Sequence, residues 1–216
     1  QWQKDPKELP PTIIKRLPVR MSWDNNYFYD KYQGIPIGGY TAMFENMLEG
    51  IEVKTNVDYF ADKQYWDSLA EKVVFTGKID EYYDFQHGEL EYRSLKFETE
   101  IMPNSNYQGN AVVNYNSADV PWTRIIEHKH FDSNSAAEDV TVVTKEIPDT
   151  WSRDKTPYYP IGDDINMAIF KKYEDMAILE TNVIFGGRLA EYRYYDMHQV
   201  IGSAFNKFKD ELAATV

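Results

Sequence analysis

At 216 residues, with a composition 43% hydrophobic, 27% charged and 15% aromatic, the chain can bury a sizeable core, and disorder, collagen and coiled coil are excluded. Asp and Glu total 35 against 23 Lys and Arg, a formal charge of −12 that repels nucleic acid and anionic lipid, although a few arginines can reverse the field locally for a phosphorylated ligand. The absence of cysteine removes disulfides, thiolate nucleophiles and Cys-ligated metals, and no apolar run reaches the length of a membrane span.

The opening Gln1-Trp2-Gln3-Lys4-Asp5-Pro6 has neither an initiator methionine nor a signal-peptide pattern, and reads as the start of a piece of something longer. Prolines at 10, 11 and 18 confine residues 10–20 to a two-turn helix. Residues 21–37 have loop composition. A helix is predicted over 40–49, where Met43, Phe44, Met47 and Leu48 recur at helical spacing before Gly50. Strands are predicted at 51–55, 72–75, 90–99, 111–115, 123–126 and 141–145, closely spaced and without intervening helices, which implies an antiparallel sheet. Residues 133–138 read as a surface loop. Asp163 or Asp164 caps a helix carrying Ile165, Ile169, Phe170 and Tyr173. A strand at 183–185 ends in Gly186-Gly187. From Asp196 onward Met197, Val200, Ile201, Ala204, Phe205, Phe208 and Leu212 form an apolar stripe, so the end resembles the last part of an α/β domain.

Arg16, Arg20, Arg93, Arg124 and Arg188 are the first candidates for chemistry, because a guanidinium fork holds phosphate or carboxylate bidentately. The ordinary alternative for each is an ion pair. The unit V-I-F-G-G-R (183–188) lets backbone approach a ligand, yet the full Gly-x-Gly-x-x-Gly fingerprint is absent. His128 and His130 would share a face of a strand, with Asp132 nearby, but three or four ligands are needed for a metal and none is assigned. Asp30, Glu98, Glu127, Asp163, Asp164, Glu191 and Asp196 are candidates for a glycosidase pair about 5–9 Å apart, and their spacing selects none. The excess of tyrosine, 17 against 11 Phe and 5 Trp, suits packing with a polar handle or a ring-lined pocket.

Long ordered strings say more. K-E-L-P-P-T-I-I-K-R-L-P-V-R (7–20), N-N-Y-F-Y-D-K-Y-Q-G-I-P-I-G-G-Y (25–40), L-E-Y-R-S-L-K-F-E-T-E (90–100), V-P-W-T-R-I-I-E-H-K-H-F (120–131), P-Y-Y-P (157–160) and G-G-R-L-A-E-Y-R-Y-Y-D-M-H-Q-V (186–200) resemble the bacterial UDP-galactopyranose mutases over essentially the whole chain. The resemblance implies a mixed α/β fold, α+β within this chain. Its parts would be a twisted antiparallel sheet domain, the C-terminal part of a Rossmann-like FAD-binding domain and a remnant of a helical domain. The corresponding boundaries are 1–50 for the helical remnant and linker helix and 51–89 for a segment returning to the FAD domain. The substrate sheet would follow over 90–160, and the end of the FAD domain over 161–216. The amino-terminal glycine-rich FAD segment would be missing, so that this chain alone would be inactive and without FAD.

The implied activity is interconversion of UDP-galactopyranose and UDP-galactofuranose through an adduct of the sugar with N5 of reduced flavin, in a homodimer of the bacterial cytoplasm. The alternative is a carbohydrate-binding module whose rings stack on sugar. By motif, Arg16 and Arg124 resemble the diphosphate clamp, and Arg93 an active-site neighbour. Trp2, Tyr27, Tyr159 (or its neighbour Tyr158), Tyr194 and Asp196 resemble substrate contacts. Gly187, Arg188, Met197 and His198 resemble flavin contacts.

Overall fold

The computed structural model describes Lys7 and residues 21–23, 29–117, 119–131 and 139–215. The helix expected over 10–20 and the loop over 133–138 lie outside the described residues. The described chain falls into two compact units, one holding Lys7, 21–23 and 29–56 with Phe131, the other 57–117, 119–130 and 139–215.

In the first unit α1 (Gly39–Met47) forms where the Met43, Phe44 and Met47 spacing places it. Gly38 and Gly39 start it in the left-handed region, at φ +83° and +84°, and the Leu48 N–H donates to the Phe44 carbonyl at 3.0 Å. The strand expected at 51–55 does not form. Ile51 and Val53 alternate correctly but stay more than half exposed, and with no neighbouring ladder the segment remains irregular.

The second unit carries two sheets. β1 (Val73–Phe75) and β7 (Val183–Phe185) pair in parallel, Val73 opposite Val183. β2 (Tyr92–Met102), β3 (Val112–Asn114), β4 (Arg124–Glu127), β5 (Thr141–Asp149) and β6 (Tyr159–Pro160) form an antiparallel sheet in the order β3-β4-β5-β2-β6. The fold is thus mixed α/β with an antiparallel sheet, as expected. The central β2–β5 ladder runs from Ser94↔Asp149 to Met102↔Thr141. β4 ends one residue before the histidines: His128–Phe131 is a 3-10 turn, so the shared strand face expected for His128 and His130 is not there.

Between the sheets' ends lies a core that is largely aromatic: Phe75, Ile79, Tyr83, Leu90, Tyr92, Phe170, Tyr173, Phe185, Ala190 and Tyr192. Several of its tyrosines do use their polar handle. The Tyr173 hydroxyl donates to the Gly88 carbonyl at 2.7 Å and accepts the His87 N–H at 3.0 Å. Three further helices close around it: α2 (Lys63–Ser68), α3 (Ile79–Tyr82) and α4 (Asp164–Ala177). Asp80 on α3 is buried and accepts the Leu90 N–H at 2.9 Å; burial raises its carboxyl above the ordinary range, against that bond.

Of the two aspartates that could cap α4, Asp163 does so, accepting from the Asn166 backbone N–H at 2.9 Å and its side-chain amide at 2.8 Å. Asn166, 3% exposed, in turn accepts the Glu91 N–H at 2.9 Å. Asp163→Ala therefore costs about 1 kcal/mol and lowers Tm by about 2–4 °C in a thermal melt, whereas Asp163→Asn keeps the cap and most of the stability.

After β7 come α5 (Gly187–Ala190) and α6 (Met197–Thr215). The apolar stripe of α6 does not face a core here. Met197, Ile201, Phe205, Phe208 and Leu212 are each about half exposed or more, while Ser203 and Lys207 bond Glu191 and Glu211 pairs with Lys72. The helix is held through its polar side.

Candidate functional site

Strand register brings three of the described candidates, Arg93, Arg124 and Tyr159, to one sheet face. β6 places Tyr159 opposite Arg93, β4 and β5 place Arg124 opposite Glu146, and β2 places Phe97 opposite the same glutamate. Opposite residues, and residues two apart along a strand, point to the same side, so Arg93, Phe97, Tyr159, Glu146 and Arg124 share it. The C-terminal segment adds the rest. Tyr194 stacks on Tyr159 with ring centroids 5.3 Å apart and an angle of 17°. Arg188, on α5, lies over both rings, its guanidinium carbon 5.6 Å from the Tyr159 centroid and 5.2 Å from that of Tyr194, which is cation–π distance.

Electrostatics tie the groups together. Burial pushes the Tyr159 phenol up; the Glu146 carboxylate and Tyr194 add to this, while Arg124 and Arg188 pull it down. One ring therefore senses both arginines and the acid. Glu146 is 5% exposed and sits 3.6 Å from Arg124 Nε, an ion pair too long to be a hydrogen bond. Arg188 Nη2 donates to the Tyr158 carbonyl at 3.1 Å. The Nε atoms of Arg124 and Arg188 are buried and make no hydrogen bond within the structure.

Gly187 stands at φ +82°, the left-handed region. A Cβ there would meet Thr76 only at an ordinary 3.6 Å, so it is the turn, and not crowding, that asks for glycine. Asp196 is half-buried and opens α6: its carbonyl accepts the Gln199 and Val200 N–H groups at 3.0 and 3.1 Å, and its own N–H donates to Gln199 Oε1 at 2.8 Å. Met197 and His198 occupy the first turn of α6 and are exposed. Of the neighbouring tyrosines, Tyr159 joins the stack and Tyr158 sets its ring edge-on to Phe97 at 5.6 Å. Trp2, Arg16 and Tyr27 lie outside the described residues. Glu146 and Phe97 join the cluster unannounced; the register that brings them in is not visible before the sheet order is known.

The other constellations dissolve into structural roles. Glu127 is fully buried and accepts the Tyr107 and Gln108 N–H groups, both at 2.9 Å, with His130 Nε2 at 3.1 Å. Burial alone would raise its carboxyl, but those bonds and Thr141 reverse the effect and hold it at about 2. His128 Nε2 bonds the Thr144 hydroxyl at 2.8 Å. Glu98 pairs with Lys96, and Glu191 receives Ser203 and Lys207. Among the described residues no cluster of three His, Asp or Glu could hold a metal, and no helix is long and apolar enough to cross a membrane.

An antiparallel sheet face carrying two arginines and a buried acid, completed by a third arginine over stacked tyrosines, defines a mixed α/β protein with a cationic, ring-lined shelf suited to an anionic ligand. The chain belongs to the UDP-galactopyranose mutase family, whose model matches residues 1–194. It is 41% identical over 218 residues to a probable UDP-galactopyranose mutase of Klebsiella pneumoniae, which covers 100% of this chain and 55% of that protein. It is 39% identical over 213 residues to a dTDP-fucopyranose mutase of Escherichia coli, covering 94% and 55%. It is 34% identical over 215 residues to a UDP-galactopyranose mutase of Mycoplasma genitalium, covering 93% and 53%. The chain spans about half the length of the curated relatives it matches.

Proposed function

We propose that this chain supplies the substrate-facing part of a nucleotide-sugar mutase that interconverts UDP-galactopyranose and UDP-galactofuranose. The observation that carries the reading is the Arg188 guanidinium over the Tyr159–Tyr194 stack, with Arg93 and Arg124 on the adjoining sheet face. Such a shelf offers fixed positive charge for a diphosphate and flat rings for the faces of a sugar or base. In this reading Arg124, with Arg16, holds the diphosphate and stabilises the negative charge that gathers on the β-phosphate as its bond to the sugar breaks. Trp2, Tyr27, Tyr159, Tyr194 and Asp196 line the sugar and nucleotide, and Arg93 adjoins the reacting carbon.

The family implies FAD, and the residues present fit an anionic cofactor. The buried, uncommitted Nε of Arg188 and the left-handed turn at Gly187 lie side by side at the start of α5, with Met197 and His198 one short segment further along the chain. When bound, the reduced flavin supplies the electron-rich centre that the sugar chemistry needs. Arg188 would neutralise its pyrophosphate, and the parallel β1–β7 pair would form the edge of the cofactor domain. Homodimerisation and a cytoplasmic setting belong to the same reading, as does the assignment of this chain to the C-terminal portion of the enzyme.

Two measurements test it. Full-length protein incubated with UDP-galactofuranose, FAD and dithionite should accumulate the pyranose isomer; no product with flavin bound and reduced overturns the activity. Conversion of dTDP-fucopyranose but not of the UDP sugar would transfer the assignment to the substrate named for the Escherichia coli relative. The 216-residue chain titrated with FAD alone should bind weakly, since a half-built cradle leaves ordering costs unmatched. A tight complex of one flavin per chain would show that these residues hold the cofactor unaided.

A further inference from the structure

We infer that Tyr192 is a positioning residue of this site: its buried phenol joins the three backbone segments that carry Arg93, Tyr159 and Tyr194 and so sets their spacing. The inference rests on the nucleotide-sugar reading of the cluster. Tyr192 is 3% exposed. Its hydroxyl donates to the Glu91 carbonyl at 2.5 Å, a proton shared with the Ile161 carbonyl at 2.9 Å, and accepts the Ile161 N–H at 3.1 Å. Glu91 stands two residues before Arg93, Ile161 two after Tyr159, and Tyr192 itself two before Tyr194. Along β2 and β6 a two-residue step returns to the same face, so a shift at Glu91 or Ile161 passes directly to Arg93 or Tyr159, while Tyr192 reaches Tyr194 through its own turn.

Two features favour such a bridge. The β2–β6 pairing is short, Tyr92↔Pro160 and Arg93↔Tyr159; the Tyr158 N–H donates to the Arg93 carbonyl and the Ile161 N–H to the Glu91 carbonyl, both at 3.0 Å, and Pro160 has no N–H to add. The phenol supplies polar contacts at the end of that ladder. The backbone of Tyr192 also sits at φ +46°, where a bulky residue persists only if its surroundings hold it. Phe170 stacks on the ring at 5.7 Å and Tyr92 meets it edge-on at 5.4 Å. The left-handed turn sends the chain away from α5 so that Tyr194 comes to lie parallel to Tyr159 beneath Arg188. Burial pushes the phenol's pKa up, which keeps it a neutral donor.

Tyr192→Phe retains both ring contacts and deletes the bridge. Tyr173→Phe is its control: that phenol is equally buried and also bridges backbone, but it pins the turn at His87 and Gly88, which carries no site residue. In the full-length protein both variants should melt lower by similar amounts. Tyr192→Phe alone should weaken UDP binding in calorimetry and lower kcat, each by roughly ten- to a hundredfold. Equal effects of the two variants on UDP affinity and turnover, or an unchanged Tyr192→Phe enzyme, would overturn the inference. A substrate-free readout keeps it separate from the functional reading: the Arg188 Nε–H NMR resonance, displaced by the two rings beneath it, should move in Tyr192→Phe and stay in Tyr173→Phe. If wild-type protein neither binds UDP nor converts sugar, the functional reading fails, and this resonance still decides whether Tyr192 sets the cluster.

Discussion

On the proposed function, Arg124→Ala should lower kcat of the full-length protein with reduced flavin by about 30- to 1000-fold, the loss expected when roughly 2–4 kcal/mol of charge-assisted contact to a departing phosphate is removed. Stability falls as well, because Glu146, 5% exposed and 3.6 Å from Arg124 Nε, is left as a buried carboxylate without its cation. The two effects separate in the double variant Arg124→Ala, Glu146→Gln. Removing the stranded charge should restore the melting temperature and leave turnover low. If the double variant also recovers its rate, the arginine served to neutralise Glu146 and not the diphosphate.

The largest stability effect is expected at Glu127. Its carboxylate satisfies two backbone N–H groups of the loop between β2 and β3, together with His130, and those bonds weaken when it is protonated and loses its charge. A folded pKa of about 2 against the ordinary 4.5 means that the ionised form is favoured by folding. The stabilisation is complete above pH 4.5 and is lost as the pH falls toward 2; it amounts to about 3 kcal/mol. Glu127→Gln turns an amide N–H toward one of the two backbone donors, and should cost about 2–4 kcal/mol at pH 7 in urea unfolding. The gap between wild type and variant should close on acidification through that window. A gap that stays constant from pH 7 to pH 2 would show that the carboxylate charge plays no part.

Much of the fold is legible in residue patterns. The alternation in L-E-Y-R-S-L-K-F-E-T-E becomes β2, Asp163, one of the two aspartates before Ile165, becomes a cap, and Val183–Phe185 becomes a strand. The failures have physical causes. Ile51–Val53 has strand chemistry without a partner, and strand pairing is a property of two segments. His128 and His130 continue the β4 pattern, but the chain turns at Glu127 because that carboxylate faces inward to the 107–108 loop. The turn and helix of 59–68 are masked by aromatics without helical period, among them Tyr59, Phe60, Tyr65 and Trp66. For the candidate site, resemblance points to Tyr159, Tyr194 and Arg188, and geometry brings Glu146 and Tyr192 to the same cluster. Neither of these could be read locally, since the groups they meet are distant in the chain.

The sheet order also dictates when the site can exist during synthesis. β2 lies between β5 and β6, yet both leave the ribosome after it, so the partner of Met102, Thr141, is made before Asp149, the partner of Ser94, and Tyr159, the partner of Arg93. Until then β2 has two bare edges, the kind of surface that invites wrong pairing. Tyr192 and Tyr194 emerge later still. The arginines of the sheet are thus made first and aligned last, so a nascent chain halted before Tyr192 holds the cationic residues without the bridge that spaces them.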